Sequence, residues 1–439
     1  MRSRRLTGAR LAFAALVVPL AVLAAGCGGG GDNGSSGSSD VKGNVSITGV
    51  WTGDEQKSFQ AVLDAFHEKY PNVTVKYNSS GDNTPTVLST AVQGGNPPDL
   101  AAVSQPGLMK DFQKKGALKP LDFAKSEIND NYPEDFVKLT TINGKIYGLI
   151  FKGANKSTVW YNVKSFNDAG VDPPKSWDDL IKDAGTIKAS GTAPFSVGGA
   201  DGWTLTDLFE NIYLRQAGGD MYDKLSDHTI KWTDPSVKKA LTTMGQYLQS
   251  GDVVGGTSGA LQTDFPTSVS NVFSDSPKGA MVAEGDFVPG VVASSNPLKA
   301  VDGYNVFAFP SVDGSEESVV GGGDTIMMFN DTPASEALIK YLTTAEASEI
   351  WAKRGGFSSP NKNLDTSVYP DEITKTTASA LATTKTFRFD MSDLQPAAFG
   401  GTVGQGEFKI FQDFLKNPSD VNGVAQALET SAAKAYASQ

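Results

Sequence analysis

The chain has 439 residues, with 38 lysines and arginines against 49 acids, a single cysteine and two histidines. That length exceeds one ordinary core and predicts two domains. The acidic balance without a basic run argues against nucleic acid or anionic lipid as a partner, and one cysteine with His67 and His228 leaves no disulfide and no thiolate or histidine metal cluster.

The N-terminus reads as a processing segment. Arg2, Arg4, Arg5 and Arg10 precede an apolar run, Leu11 to Ala25, that Pro19 interrupts and that is too short for a comfortable membrane span. It ends in Leu23-Ala24-Ala25-Gly26-Cys27, small residues before the cysteine that resemble a bacterial lipobox. Such a signal implies cleavage before Cys27 and lipid attachment to it; the alternative is plain secretion. Removal of residues 1–26 takes four arginines and no acids, leaving a net charge of −15. The Gly/Ser stretch after Cys27 buries nothing and reads as a flexible tether, with 27–44 as lipidated cysteine and tether together.

Val45–Val50 alternates as a strand, and Glu55–Tyr70 places Phe59, Val62, Leu63 and Phe66 on one helical face. Strands at Val73–Tyr77 and Leu100–Val103, with helices around Val87–Val92 and after Gln105-Pro106, complete a β-α-β-α-β-α pattern. This is the signature of a parallel sheet covered by helices, in which ligands collect at strand carboxyl ends. Asn143-Gly144 predicts a turn, Lys145–Phe151 a strand, Lys152–Lys156 a polar break, and Ser157–Tyr161 a second strand. Two strands joined by such a break read as a hinge between lobes or as an ordinary hairpin. Beyond it, helices are expected at Ser176 onward, at Trp203–Gln216, from Asp234-Pro235 to Ser250, at Ala334–Thr344, at Ala345–Arg354 and at Val421–Tyr436. Strands are expected at Gly279–Ala283, Tyr304–Pro310 and Thr325–Phe329, with Gly255–Ser276 irregular and Gly355–Asn361 a coil crossing between lobes.

An ordered set of segments resembles a known family. These are the strand-WTG-helix of 45–70, PPDL at 97–100, NGKIYGLIF at 143–151, VWYNVKSFNDAGVDPPKSWDDL at 159–180, GAMVAEGDF at 279–287 and GGGD at 321–324. Together they are similar to the extracellular solute-binding proteins of carbohydrate ABC importers, the group that includes maltose-binding protein. FRFDMSDLQPAAFGG at 387–401 resembles a subgroup of α-glucoside binders instead. The resemblance implies an α/β, two-lobed type II periplasmic-binding-protein-like fold with three crossings. Lobe I would span 45–151 with 306–356, and lobe II 156–303 with 361–439. It further implies a monomer without cofactor or catalysis, partnered by a carbohydrate and by the importer's permease subunits.

A sugar presents apolar C–H faces that lie on aromatic rings and a rim of hydroxyls that donate and accept. Residues suited to it at strand ends, helix starts and crossings are Trp51, Asp54, Gln105, Asn155, Trp203, Glu284, Asp286, Phe287, Asp324 and Arg354. Each has a plainer reading: Asp54 as a helix cap, Trp51 or Trp203 as core, Glu284 or Asp286 as an ion pair or turn, Arg354 as a helix-end charge. A binder of peptide, polyamine or metal complex is the rival reading. A lipid-anchored glycosidase using Glu284 and Asp286 is a further one.

Overall fold

The structure, a computed structural model, describes residues 40–295 and 301–438; the signal segment, Cys27 and most of the tether lie outside them. The strands in chain order are β1 (Gly43–Gly49), β2 (Val73–Ser79), β3 (Leu100–Val103), β4 (Thr141–Ile142), β5 (Lys145–Ile146), β6 (Gly148–Asn155) and β7 (Thr158–Asn162). They continue with β8 (Ala193–Phe195), β9 (Gly279–Ala283), β10 (Tyr304–Ala308), β11 (Val319–Met328) and β12 (Phe387–Phe389).

Two main sheets form the two lobes. In lobe I, β1 pairs in parallel with β2 and β3, β11 runs antiparallel to β3 and β6, and β12 joins β11 in parallel. In lobe II the order is β10-β7-β9-β8. The expected helical stripe is the core face of Gly53–Lys69: Phe59, Val62, Leu63 and Phe66 are all buried. Burial on this scale stabilises by roughly 1.5–3 kcal/mol per side chain. That face packs on one side of the lobe I sheet, with Leu338, Leu342 and Trp351 from later helices. Leu88, Met109 and Phe112 cover the other side. Lobe II is likewise covered on both faces, by the large cluster around Phe209, Trp232 and Phe411 and by a smaller one around Trp160 and Val272.

Asn143 (φ 51°) and Gly144 (φ 78°) make a tight turn, as expected, but it closes only the short β4–β5 hairpin. The expected break at Lys152–Lys156 is mostly strand: β6 runs on to Asn155 because β11 lies alongside it, with Gly321, Gly322 and Gly323 opposite Asn155, Ala154 and Gly153. The turnover comes at Lys156-Ser157. A β-carbon on Gly322 would lie 2.8 Å from Lys156 Cε, so the glycine leaves room for that lysine's stem.

Three crossings join the lobes: β6 to β7, β10 to β11, and the coil around Gly355–Asn361. They lie side by side, since the Gly153 N–H donates to the Ser358 carbonyl at 2.6 Å and the Lys156 N–H to the Val320 carbonyl at 2.9 Å. Two lobe boundaries differ from expectation. β10 pairs with β7 in the lobe II sheet, so lobe I does not resume at 306. β12, expected within lobe II, is hydrogen-bonded to β11 of lobe I. The stretch expected to be irregular, 255–276, contains helices at Gly256–Ala260 and Phe265–Val272.

Candidate binding site between the lobes

The lobes meet where Asp82, in the loop after β2, accepts from the Trp203 indole. Trp203 starts the helix Trp203–Ala217, after Gly202 in a positive-φ conformation. Asp201 accepts the Phe265 N–H at 2.6 Å, and this brings Phe265 beside Trp203, ring centroids 5.2 Å apart. Phe287 closes the group at 6.0 Å from Trp203 and 5.3 Å from Phe265. All three rings remain partly exposed, the condition for stacking on a ligand.

Two lysines of one crossing sit beneath this aromatic group. Lys152 Nζ lies 2.5 Å from Glu55 and 3.8 Å from Asp324, and 5.4 Å over the Phe287 ring. Burial opposes its charge, but Glu55 and Asp324 outweigh that and hold the proton more firmly than usual. Lys156 Nζ lies 5.7 Å over the Trp203 ring and touches three carboxylates: Asp390 at 2.5 Å, Asp207 at 3.0 Å and Asp393 at 3.9 Å. One ammonium balances one of them. Burial works against the Asp390 charge too, yet Lys156, a shared proton with Asp207 and the Asp393 N–H bring Asp390 down to about 2. Burial, with repulsion from Asp390, pushes Asp207 and Asp393 well above the usual carboxylate range despite Lys156.

The expected site residues fall into three groups. Trp203 and Phe287 stand at the meeting of the lobes, with Asp324 and Asp286 just behind. Asp324 accepts from the Trp51 indole at 2.6 Å and from the Ser104 hydroxyl at 2.8 Å. Asp286 is buried, accepts from the Ser358 hydroxyl, and donates its N–H to the Asn155 carbonyl at 2.9 Å. Burial raises it to about 6 even so. Gln105 also belongs here, preceding the helix Pro106–Lys114, with its Oε1 lacking a partner among the described residues.

A second group is interior. The Trp51 ring is 1% exposed and packs on Phe59, Tyr77, Phe151 and Trp351, so it reaches the cleft wall only through Asp324. Asn155 uses its side chain to hold the crossing, donating to Thr377 O and accepting from Ser157 N. Glu284 is buried against a cavity of about 10 Å³, room for one water-sized molecule, lined also by Ser196, Thr204 and Tyr247. Burial, then repulsion from Asp207, raises its carboxyl strongly. The last two residues lie apart: Asp54 pairs with Lys57 at 2.7 Å on the exposed start of its helix, and exposed Arg354 donates to Ser58 Oγ at 3.0 Å.

A model described as bacterial extracellular solute-binding protein matches residues 51–349. The chain belongs to this family. It is 33% identical over 403 residues to the osmoprotective compounds-binding protein GgtB of Synechocystis, covering 90% of this chain and 92% of that one. It is 34% identical over 412 residues to the alpha-glucosides-binding periplasmic protein AglE of Rhizobium meliloti, covering 89% and 88%. The fold superposes on the solute receptor AcbH with a TM-score of 0.79 at 20% identity, over 90% of this chain and all of that one. This solute-binding protein is thus a receptor of the ABC-importer type and not an enzyme, with the two-lobed type II fold. Among the described residues no group of three histidine, cysteine or acidic side chains is placed to hold a metal.

Several residues of the solute-binding protein that lie where the lobes meet escape sequence reading. Glu55 and Asp82 look like ordinary helix-start and loop acids, and Phe265 lies in a stretch without periodicity. Lys152 and Lys156 look like solvent-facing charges. Their one signal is their position in a run otherwise read as the interlobe connection.

Proposed function

We propose that this receptor binds a neutral sugar, an α-glucoside or short oligosaccharide, between its lobes and presents it to an importer's permease subunits, while lipid on Cys27 anchors it outside the bacterial cell membrane. The observation that carries this reading is the partly exposed Trp203–Phe265–Phe287 group facing the Asp82, Glu55 and Asp324 carboxylates of the other lobe. Rings take the apolar face of a pyranose, and carboxylates take its hydroxyls. The name of AglE, an alpha-glucosides-binding protein, supports the same class of solute.

The three adjacent crossings provide a hinge. A solute touching Trp203 on one lobe and Asp324 on the other stabilises the closed arrangement, because only there are both sets of contacts made. The chain's own groups bind and orient; transport energy comes from the importer.

A thermal-shift screen of the domain from residue 40 onward tests the proposal with mono- and disaccharides, α-glucosides among them, against peptides, polyamines and ferric citrate. A ligand at 100 times its Kd adds about 2.7 kcal/mol, which raises Tm by a few degrees. A shift with one sugar class is expected; a shift with only a non-sugar sinks the sugar reading. Mass spectrometry of membrane-extracted protein tests the anchor: an unmodified N-terminus would contradict it.

A further inference from the structure

Gln395 is 1% exposed, yet neither its Oε1 nor its Nε2 has a hydrogen-bond partner among the described residues. An amide with two donors and an acceptor left unpaired in the interior is a standing cost to the fold. Two neighbours share the condition. Among the described residues Asp393 Oδ2 makes no hydrogen bond, and the cation it faces is the Lys156 ammonium, at 3.9 Å. Gln105 Oε1 is also unpartnered, and its side chain lies against the same segment: a β-carbon on Gly401 would be 3.0 Å from Gln105 Cγ.

These groups sit where the lobes join. Glu210 of the lobe II helix Trp203–Ala217 accepts the Met391 and Ser392 N–H groups at 2.6 and 3.0 Å and so fastens the segment to that lobe. On the other side the segment presses on the N-terminus of the lobe I helix Pro106–Lys114. A β-carbon on Gly107 would come within 2.2 Å of the Gln395 carbonyl. Asp393 connects this place to the aromatic group, because the Lys156 ammonium beside it also lies over Trp203.

We propose that Asp393 and Gln395, with Gln105 on the facing lobe, form a polar subsite that pairs with solute hydroxyls next to the ring stacked at Trp203. The inference rests on the sugar reading and extends it. A hydroxyl both donates and accepts, so a pair of them matches an amide and a carboxyl at once. An anionic solute finds no unengaged cation in this cluster, because Lys156 is already committed to Asp390, Asp207 and Asp393. A solute reaches the amide when the lobes part. Gln216 also has an unpartnered Oε1, but its amide nitrogen donates to Thr243 and Asp313, whereas both ends of the Gln395 amide lack a partner among the described residues. A leucine of similar volume would fill the same space without that cost.

The test is Gln395→Leu in the full mature chain, with calorimetric titration of maltose, trehalose and sucrose and the Tm without ligand. The sugar that binds the wild-type protein serves as probe. The expected result is an unliganded Tm equal to or above wild type together with affinity at least tenfold weaker. Wild-type affinity in this variant overturns the subsite. If the variant does not fold, Gln105→Leu probes the same subsite from lobe I, with the same two outcomes. If wild-type protein binds none of the three and no sugar of the thermal-shift panel, the sugar reading fails and this inference falls with it, a result distinguished by being read on the unmodified chain.

Discussion

The two walls of the cleft carry the same pair of residue types, a tryptophan and a lysine, in different arrangements. In lobe I, the Trp51 ring is packed into the core and only its N–H acts at the wall, through Asp324. Its lysine, Lys152, faces Glu55, whose side chain is 40% exposed. In lobe II, the Trp203 ring itself stands at the wall, and Lys156 faces three carboxylates that are at most 6% exposed. Lobe I therefore has a rigid polar wall with some access to water. Lobe II has an aromatic surface backed by a dry, over-acidic cluster. Identical residue types do different work because burial, not identity, sets the strength of an ionic contact.

Removing the lysines tests this difference most severely. Lys156→Met leaves Asp390 buried without its cation and is expected to lower stability by about 3–5 kcal/mol. Lys152→Met leaves Glu55 partly in water and Asp324 with two hydrogen bonds, and is expected to cost about 1–2 kcal/mol. Urea denaturation of both variants without ligand measures the gap; equal losses would erase the asymmetry.

The tryptophans sharpen it next. Trp203→Ala is expected to weaken solute binding by about 1–3 kcal/mol with little change in unliganded stability. Trp51→Phe keeps a ring in the core but removes the donor to Asp324, so stability falls by about 1 kcal/mol. Should Trp51→Phe lose as much affinity as Trp203→Ala, the division between core ring and cleft ring would be wrong.

The smallest effect concerns pH. Burial raises native Asp286 from 3.8 to about 6. The folded state then binds the proton more tightly than the unfolded one, so this group penalises folding above pH 6 and ceases to do so as pH falls toward 4. Asp390 works in the opposite direction, but its contribution is lost only below about 4, on the way to its native value of about 2. Between pH 6 and 4 the Asp286 effect therefore stands clear of it. Asp201, which burial also raises to about 6, and the strongly raised Asp207, Asp393 and Glu284 act in the same direction over that interval. Stability should therefore rise as pH falls, and Asp286→Asn should reduce the total rise by about 1–2 kcal/mol without abolishing it. An unchanged slope in the variant would assign the effect elsewhere.

Local pattern carried much of the fold. The helix Val421–Tyr436 and the strands Leu100–Val103 and Gly279–Ala283 have the expected limits. In each, the period of apolar residues and the flanking glycines or prolines state the element without outside help. Strand β6 departs from expectation at Lys152–Asn155, where polar residues look like a loop until three glycines of β11, some 170 residues later, lie down beside them. The helix Phe265–Val272 escapes sequence reading because eight residues opening with Phe-Pro carry too short an apolar stripe to register. Its docking, through Asp201 to Phe265, nevertheless supplies one of the three rings grouped where the lobes meet.

What the sequence determined by itself was the class of molecule: an α/β chain of two lobes with an ordered set of segments resembling one receptor family, behind an N-terminal stretch that reads as an export signal and a tether. These depend on periodicity, composition and order along the chain, all of which are local properties. Tertiary structure alone decided which acids are charged, which tryptophan faces the cleft, and that Lys152, Lys156 and Gln395 lie buried where the lobes meet. A side chain's protonation and availability depend on the dielectric and the partners around it, and for these residues the partners come from segments 50 to more than 200 positions away.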